Sequence, residues 1–248
     1  MQSSNPVLTR LGETASRERL SAGRMMTLDD VVVRTVGLLA LTGVSGALSW
    51  NLIPESPVMF LAMVGSVLAG LVLGLVISFA RITNPFVIGA YAVIQGILLG
   101  VVSRYYERAF DGIVIQAVIG TFGVFAGMAV LYKMRVLRAT PKFTRFVIGA
   151  LIGVVVMSLA NWILAMVTGE SPLRANSATG EVGWLPIVFS LVCIGVGALT
   201  FILDFDMIEK GVNYGLPEKY SWYCAFGLLA GLVFLYWEIL RLLSYLRR

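Results

Sequence analysis

Few charges interrupt the long apolar stretches of this chain, and those few are where chemistry could reside. Asp204 and Asp206 close the sixth apolar run, Glu238 and Arg241 lie within the seventh, Arg34 opens the first and Arg81 ends the second. A bare charge at the centre of a bilayer costs at least about 2.5–3.5 kcal/mol on insertion scales, so ionisable groups within or beside spanning segments are the candidates for function. Glu238 is flanked by apolar residues from Gly231 to Trp237 and from Ile239 to Leu243, except for Arg241. It has two readings: a local pair with Arg241 at i,i+3, or a titrating carboxyl that exchanges a proton in shielded surroundings. Helical geometry sends Asp204 and Asp206 to nearly opposite faces, so one of them points into a bundle. Gly197 and Thr200 make a small, polar stripe that favours Asp204 inward, whereas Lys210 at i+4 suits Asp206 on a wetted face. Gln95, Ser158 and Asn161 are polar groups expected to bond between helices.

Other chemistries lack their parts. The chain has no histidine, which removes the commonest general base and metal ligand. A rhomboid-type Ser and His dyad is therefore absent, and no Gly-x-Gly-Asp element of an intramembrane aspartyl protease occurs. The two cysteines, Cys193 and Cys224, lie in apolar runs without CxxC spacing and are read as inert buried thiols. We expect no enzymatic activity and no tightly bound cofactor.

The elements that would position these groups follow from composition. Of 248 residues, 58% are hydrophobic and 13% charged, against about 45–50% and about 25% in soluble domains. A spanning helix needs about 20 mostly apolar residues. Seven stretches qualify, at 31–50, 58–79, 86–103, 113–132, 146–167, 184–203 and 222–246. The sequence thus predicts an all-α membrane protein with a flexible cytoplasmic tail at 1–28 and a seven-helix transmembrane domain at 29–248. The net charge of +5 falls in short connections rather than along one face, so it reports topology and not nucleic acid. Arg10, Arg17, Arg19, Arg24, Arg34, Arg81, Lys133, Arg135, Arg138, Lys142, Arg145, Lys210 and Lys219 fall on one side, and Arg104, Arg108, Arg174, Arg241, Arg247 and Arg248 on the other. That bias of about two to one puts the amino terminus in the cytoplasm. The carboxyl terminus then lies outside, unless the last segment re-enters, as Arg247 and Arg248 would prefer.

Glycines four apart recur at 70 and 74, 96 and 100, 123 and 127, 149 and 153, and 227 and 231. Such pairs let helix backbones approach closely in lipid, and compact bundling is their expected use. Trp50, Trp184, Trp222, Tyr106 and Tyr132 sit near run ends, where interfacial aromatic belts belong.

The stretch Leu203-Asp204-Phe205-Asp206-Met207-Ile208-Glu209, followed by Phe234-Leu235-Tyr236-Trp237-Glu238-Ile239-Leu240-Arg241-Leu242-Leu243, resembles the Bax inhibitor-1 family, in particular its bacterial YccA-like members. The seven runs and the Val102-Ser103-Arg104-Tyr105 close of the third run agree, so the resemblance covers roughly residues 30 to 246. It implies a last helix surrounded by two layers of three helices, in a bacterial inner membrane. It also implies a pH-sensitive calcium leak channel, in which acidic residues of the sixth and seventh helices share a proton and close the pore. Carried over, the pair is Asp206 or Asp204 with Glu238, the modulating charges are Arg81 and Arg241, and the three carboxylates form a weak Ca2+ site. Glu238 stands where relatives have Asp, and the second run lacks the carboxylate that relatives can place there.

Two carboxyls held together cannot both ionise cheaply, and a deprotonated pair offers hard oxygen ligands to a divalent cation. Centred on their apolar runs, however, Asp204 and Glu238 stand roughly 15 to 20 Å apart along the helix axis. The pairing therefore requires the last helix to sit displaced toward the cytoplasm, with Tyr220 to Cys224 outside the hydrocarbon. The expected partners are the lipid bilayer and, on a rival reading as a non-conducting regulator, other membrane proteins.

Overall fold

In the computed structural model the described residues are 24–53, 57–168, 171, 173 and 183–247. The expected tail up to residue 23 lies outside them. Among the described residues seven helices follow in order: α1 (Leu28–Leu52), α2 (Pro57–Ala80), α3 (Pro85–Ala109), α4 (Ile113–Lys133), α5 (Pro141–Thr168), α6 (Trp184–Asn213) and α7 (Tyr220–Leu246). All seven are long and apolar enough to cross a membrane.

Local sequence sets their ends. Thr27 caps α1 in a reciprocal capping box, accepting from the Asp30 N–H at 3.2 Å while its own N–H donates to Asp30 Oδ2 at 3.0 Å. Asn84 caps α3 ahead of Pro85. Gly112, at φ 74°, turns the chain into α4, where Glu107 accepts from the Gly112 and Val114 N–H groups at 2.7 and 3.0 Å. A carboxylate there answers both the free donors and the dipole of α4. Helices also run past their apolar stretches. The 30 residues of α6 carry it through Asp204 and Asp206 to Asn213, about 45 Å of helix against a hydrocarbon core of about 30 Å. Outside the hydrocarbon a helix no longer needs apolar residues, so hydropathy alone ended this run ten residues early.

Residues 24–27 are not a loose end of the tail. Met25 bridges to Pro217, the Met26 N–H donates to the Leu216 carbonyl at 2.8 Å, and the Glu218 N–H to the Arg24 carbonyl at 2.8 Å. Met26 is buried in the main core. These backbone bonds strap the entry of α1 to the α6–α7 connection.

The helices form two groups of three. α3 packs against α1 and α2, and α6 packs against α4 and α5; α7 lies between the groups and packs on α1, α3, α4 and α6. α2 and α5 touch mainly α3 and α6 and turn rows of large apolar side chains outward, among them Phe60, Leu68, Leu75, Ile152, Val156 and Ile163. In water such faces would be a liability; in lipid they need no partner. α7 is one continuous helix of 27 residues and does not re-enter.

The glycine pairs divide. Thr42 Oγ1 donates to the Ala92 carbonyl and Ser49 Oγ to the Ile97 carbonyl, both at 3.2 Å, across an α1–α3 contact in which Gly96 and Gly100 leave no room for a Cβ. Gly70 and Gly74 accommodate the side chains of Gln95 and Tyr91. By contrast, nothing lies within 4 Å of a Cβ built at Gly123, Gly127, Gly149 or Gly153.

Candidate functional site

α6 and α7 run antiparallel in a fixed register. The Phe234 ring lies against Gly197, the Phe201 ring against Gly231, and Asp204 Oδ1 is 3.8 Å from the place of a Cβ on Gly227. Each glycine admits a ring, and Phe201 is fully buried there with Phe125 edge-on at 5.1 Å between centroids. That register decides which acidic groups can meet.

Asp204 is half-buried and faces α7 at Gly227. Asp206 turns the other way: its carboxylate receives Lys210 Nζ at 2.6 Å, one helical turn on. Beside it, Glu209 accepts the Tyr132 hydroxyl, which ties α6 to α4. Glu238 is only 1% exposed and receives Arg241 Nη1 at 2.6 Å, with the guanidinium 5.5 Å from the centre of the Trp237 ring. A buried ion pair of this kind is fixed in geometry because each partner is costly to leave alone.

The three carboxylates therefore occupy separate places. Glu238 stands eleven residues beyond Gly227 on α7, which is about 16 Å along the axis from Asp204's level. The expected meeting of acidic side chains from the last two helices does not occur in this structure, because the ring-and-glycine contacts hold α7 at the register its apolar run already favoured. Asp204, Asp206 and Glu238 do not form a common set of cation ligands, and among the described residues no group of three or more Asp, Glu, Cys or His is gathered. Arg81 ends α2 at φ 49° with an exposed side chain, and makes no ion pair with another described residue. Arg241 is the partner of Glu238 rather than of an aspartate.

The ends of the bundle hold polar contacts that extend the site. At the end where α1 begins, Arg34 pairs with Glu218, donates to the Glu218 carbonyl at 2.6 Å and stacks 5.1 Å over Trp222. At the opposite end, Ser103 Oγ and Tyr236 OH are 2.6 Å apart, linking α3 to α7 two residues before Glu238. Arg104 donates to the Trp50 and Ile53 carbonyls at 2.7 and 2.9 Å, satisfying the last carbonyls of α1. Between these, a cavity of about 510 Å³ opens where Gly43, Gly46, Gly100, Val118, Leu232 and Tyr236 leave α1 and α4 apart. Sequence reasoning marked Arg34 and the Ser103-Arg104 close but not their partners. Glu218 and Tyr236 carry no local signal, since their roles depend on residues brought near by the fold.

Comparison with known proteins gives the family. A protein of Chlamydia muridarum (strain MoPn / Nigg), described as uncharacterized, is similar at 22% identity over 176 residues, covering 66% of this chain and 67% of that one. The family model described as Bax inhibitor 1 like matches residues 5–248, nearly the whole sequence. With seven spanning helices arranged as two groups of three about a last one, the chain belongs to the Bax inhibitor-1-like family of multi-pass membrane proteins.

Proposed function

We propose that this protein is a pH-responsive cation leak across a bacterial inner membrane, with calcium as the permeant ion and the amino terminus in the cytoplasm. The observation that carries the reading is Glu238: a carboxylate at 1% exposure on the central helix, held by Arg241. Such a group is expensive to keep in a membrane protein and marks an ion or proton route by default. Asp204, facing the same helix at Gly227, is a second acidic station toward the other end.

The two stations act separately in this reading, as about 16 Å of helix is too far for one proton to serve both. When Asp204 loses a proton, negative charge enters the α6–α7 contact; it disfavours close packing and attracts a divalent cation through hard oxygen ligands. When Glu238 gains one, its bond to Arg241 weakens and the guanidinium is released toward the aqueous end. No covalent chemistry is involved, so the protein acts as a path and not as an enzyme.

The test is calcium entry into liposomes carrying the full-length protein, followed with an enclosed indicator from pH 6 to 8. Flux is expected to rise with pH, Asp204→Asn to flatten that rise, Glu238→Gln to change the basal flux, and Asp206→Asn to leave both near wild type. Absence of flux from correctly folded protein, or an unaltered pH profile in both Asp204→Asn and Glu238→Gln, would remove the assignment.

A second reading rests on Gly123, Gly127, Gly149 and Gly153, where nothing among the described residues lies within 4 Å of an added Cβ. A non-conducting regulator would use such surfaces to hold another membrane protein. A defined partner crosslinked at Gly149 or Gly153, together with no ion flux, would favour it.

A further inference from the structure

The α4–α5 connection carries Lys133, Arg135, Arg138, Lys142 and Arg145, and the sequence holds no Asp or Glu from residue 112 to 169. All five side chains are exposed. None makes an ion pair with another described residue, whereas most cations at the same end are engaged: Arg24 with Asp30, Arg34 with Glu218, Lys210 with Asp206, and Lys219 over the Tyr220 ring. Among the described residues these five like charges in thirteen positions have no counter-charge in an ion pair, which suits the surface to an anionic ligand.

The segment is nonetheless held in one shape. Leu137, Ala139 and Phe143 turn inward onto the main core. Val136 and Leu137 donate to the Leu131 carbonyl at 3.0 and 3.4 Å, and Thr140 Oγ1 accepts the Phe143 N–H at 3.2 Å. The cations therefore project from a pinned backbone. Met134, Val136 and Phe146 stand among them at 67%, 61% and 64% exposure. A connection lying wholly in water gains nothing by turning these apolar groups outward. At the mouth of two spanning helices, alternating cations and apolar side chains match the boundary where lipid phosphates meet acyl chains.

We propose that the α4–α5 connection is a binding surface for anionic phospholipids, recognised through their phosphates. The inference is independent of ion conduction. Each cation near an anionic surface contributes about 1 kcal/mol, or about fivefold in affinity.

The test uses purified full-length protein in mild detergent, titrated with phosphatidylglycerol or phosphatidylcholine and read by native mass spectrometry. Wild type should retain phosphatidylglycerol in preference. Replacing all five cations by Gln should abolish that preference, while Arg135→Lys, Arg138→Lys and Arg145→Lys together should keep it. If the five-fold variant loses helicity, Arg135→Gln with Arg138→Gln alone should lower the preference by up to roughly 25-fold. An unchanged preference in a folded neutralised variant would overturn the proposal. So would one-for-one displacement of the lipid by millimolar inorganic phosphate, which would assign the surface to a free anion instead.

Discussion

Placing a methyl group at Gly100 tests the account of packing directly. A Cβ there would overlap the Gly46 carbonyl oxygen and Ser49 Oγ. The serine can rotate, but the carbonyl belongs to the backbone of α1 and cannot, so α1 and α3 must separate by roughly 1 Å to reach ordinary contact. Overpacking of this sort costs about 1–3 kcal/mol, and a backbone obstacle belongs at the upper end. The separation also stretches the Thr42 to Ala92 and Ser49 to Ile97 hydrogen bonds, at about 0.6 kcal/mol each in membrane bundles. Gly100→Ala is therefore expected to destabilise by about 4 kcal/mol. Gly153→Ala meets nothing within 4 Å, and helix propensity makes it neutral or up to about 1 kcal/mol more stable. Reversible unfolding in mixed micelles, followed by circular dichroism, measures both. Equal loss in the two variants, or a Gly100→Ala protein within 1 kcal/mol of wild type, would show that these glycines are not distinguished by helix contact.

Two further outcomes follow from the ion pairs. Removing one member of the buried Glu238 and Arg241 pair should cost about 3–5 kcal/mol, with Arg241→Met worse than Glu238→Gln because it strands the more deeply buried charge, and the double variant should recover most of the loss. A double variant no better than Arg241→Met, by the same unfolding measurement, would mean that the pair is solvated. Arg34→Ala should loosen the strap between the start of α1 and the α6–α7 connection, so hydrogen exchange at the Met26 and Leu216 amides should quicken; unchanged exchange would assign the strap to its backbone bonds alone.

Particular residues show what could be foreseen from sequence. Seven spans and their order follow from apolar run length, a property each segment carries by itself. The opposition of Asp204 and Asp206 was likewise local, since two residues on a helix must diverge. The pairing of Glu238 with Arg241 is the local one of its two readings, and Arg241 lies on its own helix. What could not be read were relations between helices. Gly96–Gly100 and Gly149–Gly153 are the same pattern in sequence, yet one pair touches α1 and the other has no described residue within 4 Å of an added Cβ. The acidic residues of α6 and α7 were expected to converge from resemblance, while the apolar runs already placed them 15 to 20 Å apart; the run-based geometry agrees with the structure.

The two phenylalanines seated in opposite glycine notches restrict how α6 and α7 can move. A piston-like slide of one turn, 5.4 Å, would drive Phe234 from Gly197 onto Cys193 or Phe201, where a side chain already stands. Tilting about the ring contacts leaves both rings in their notches. Motion between these helices should therefore resemble scissors, spreading the Asp204 end while the rings serve as the pivot.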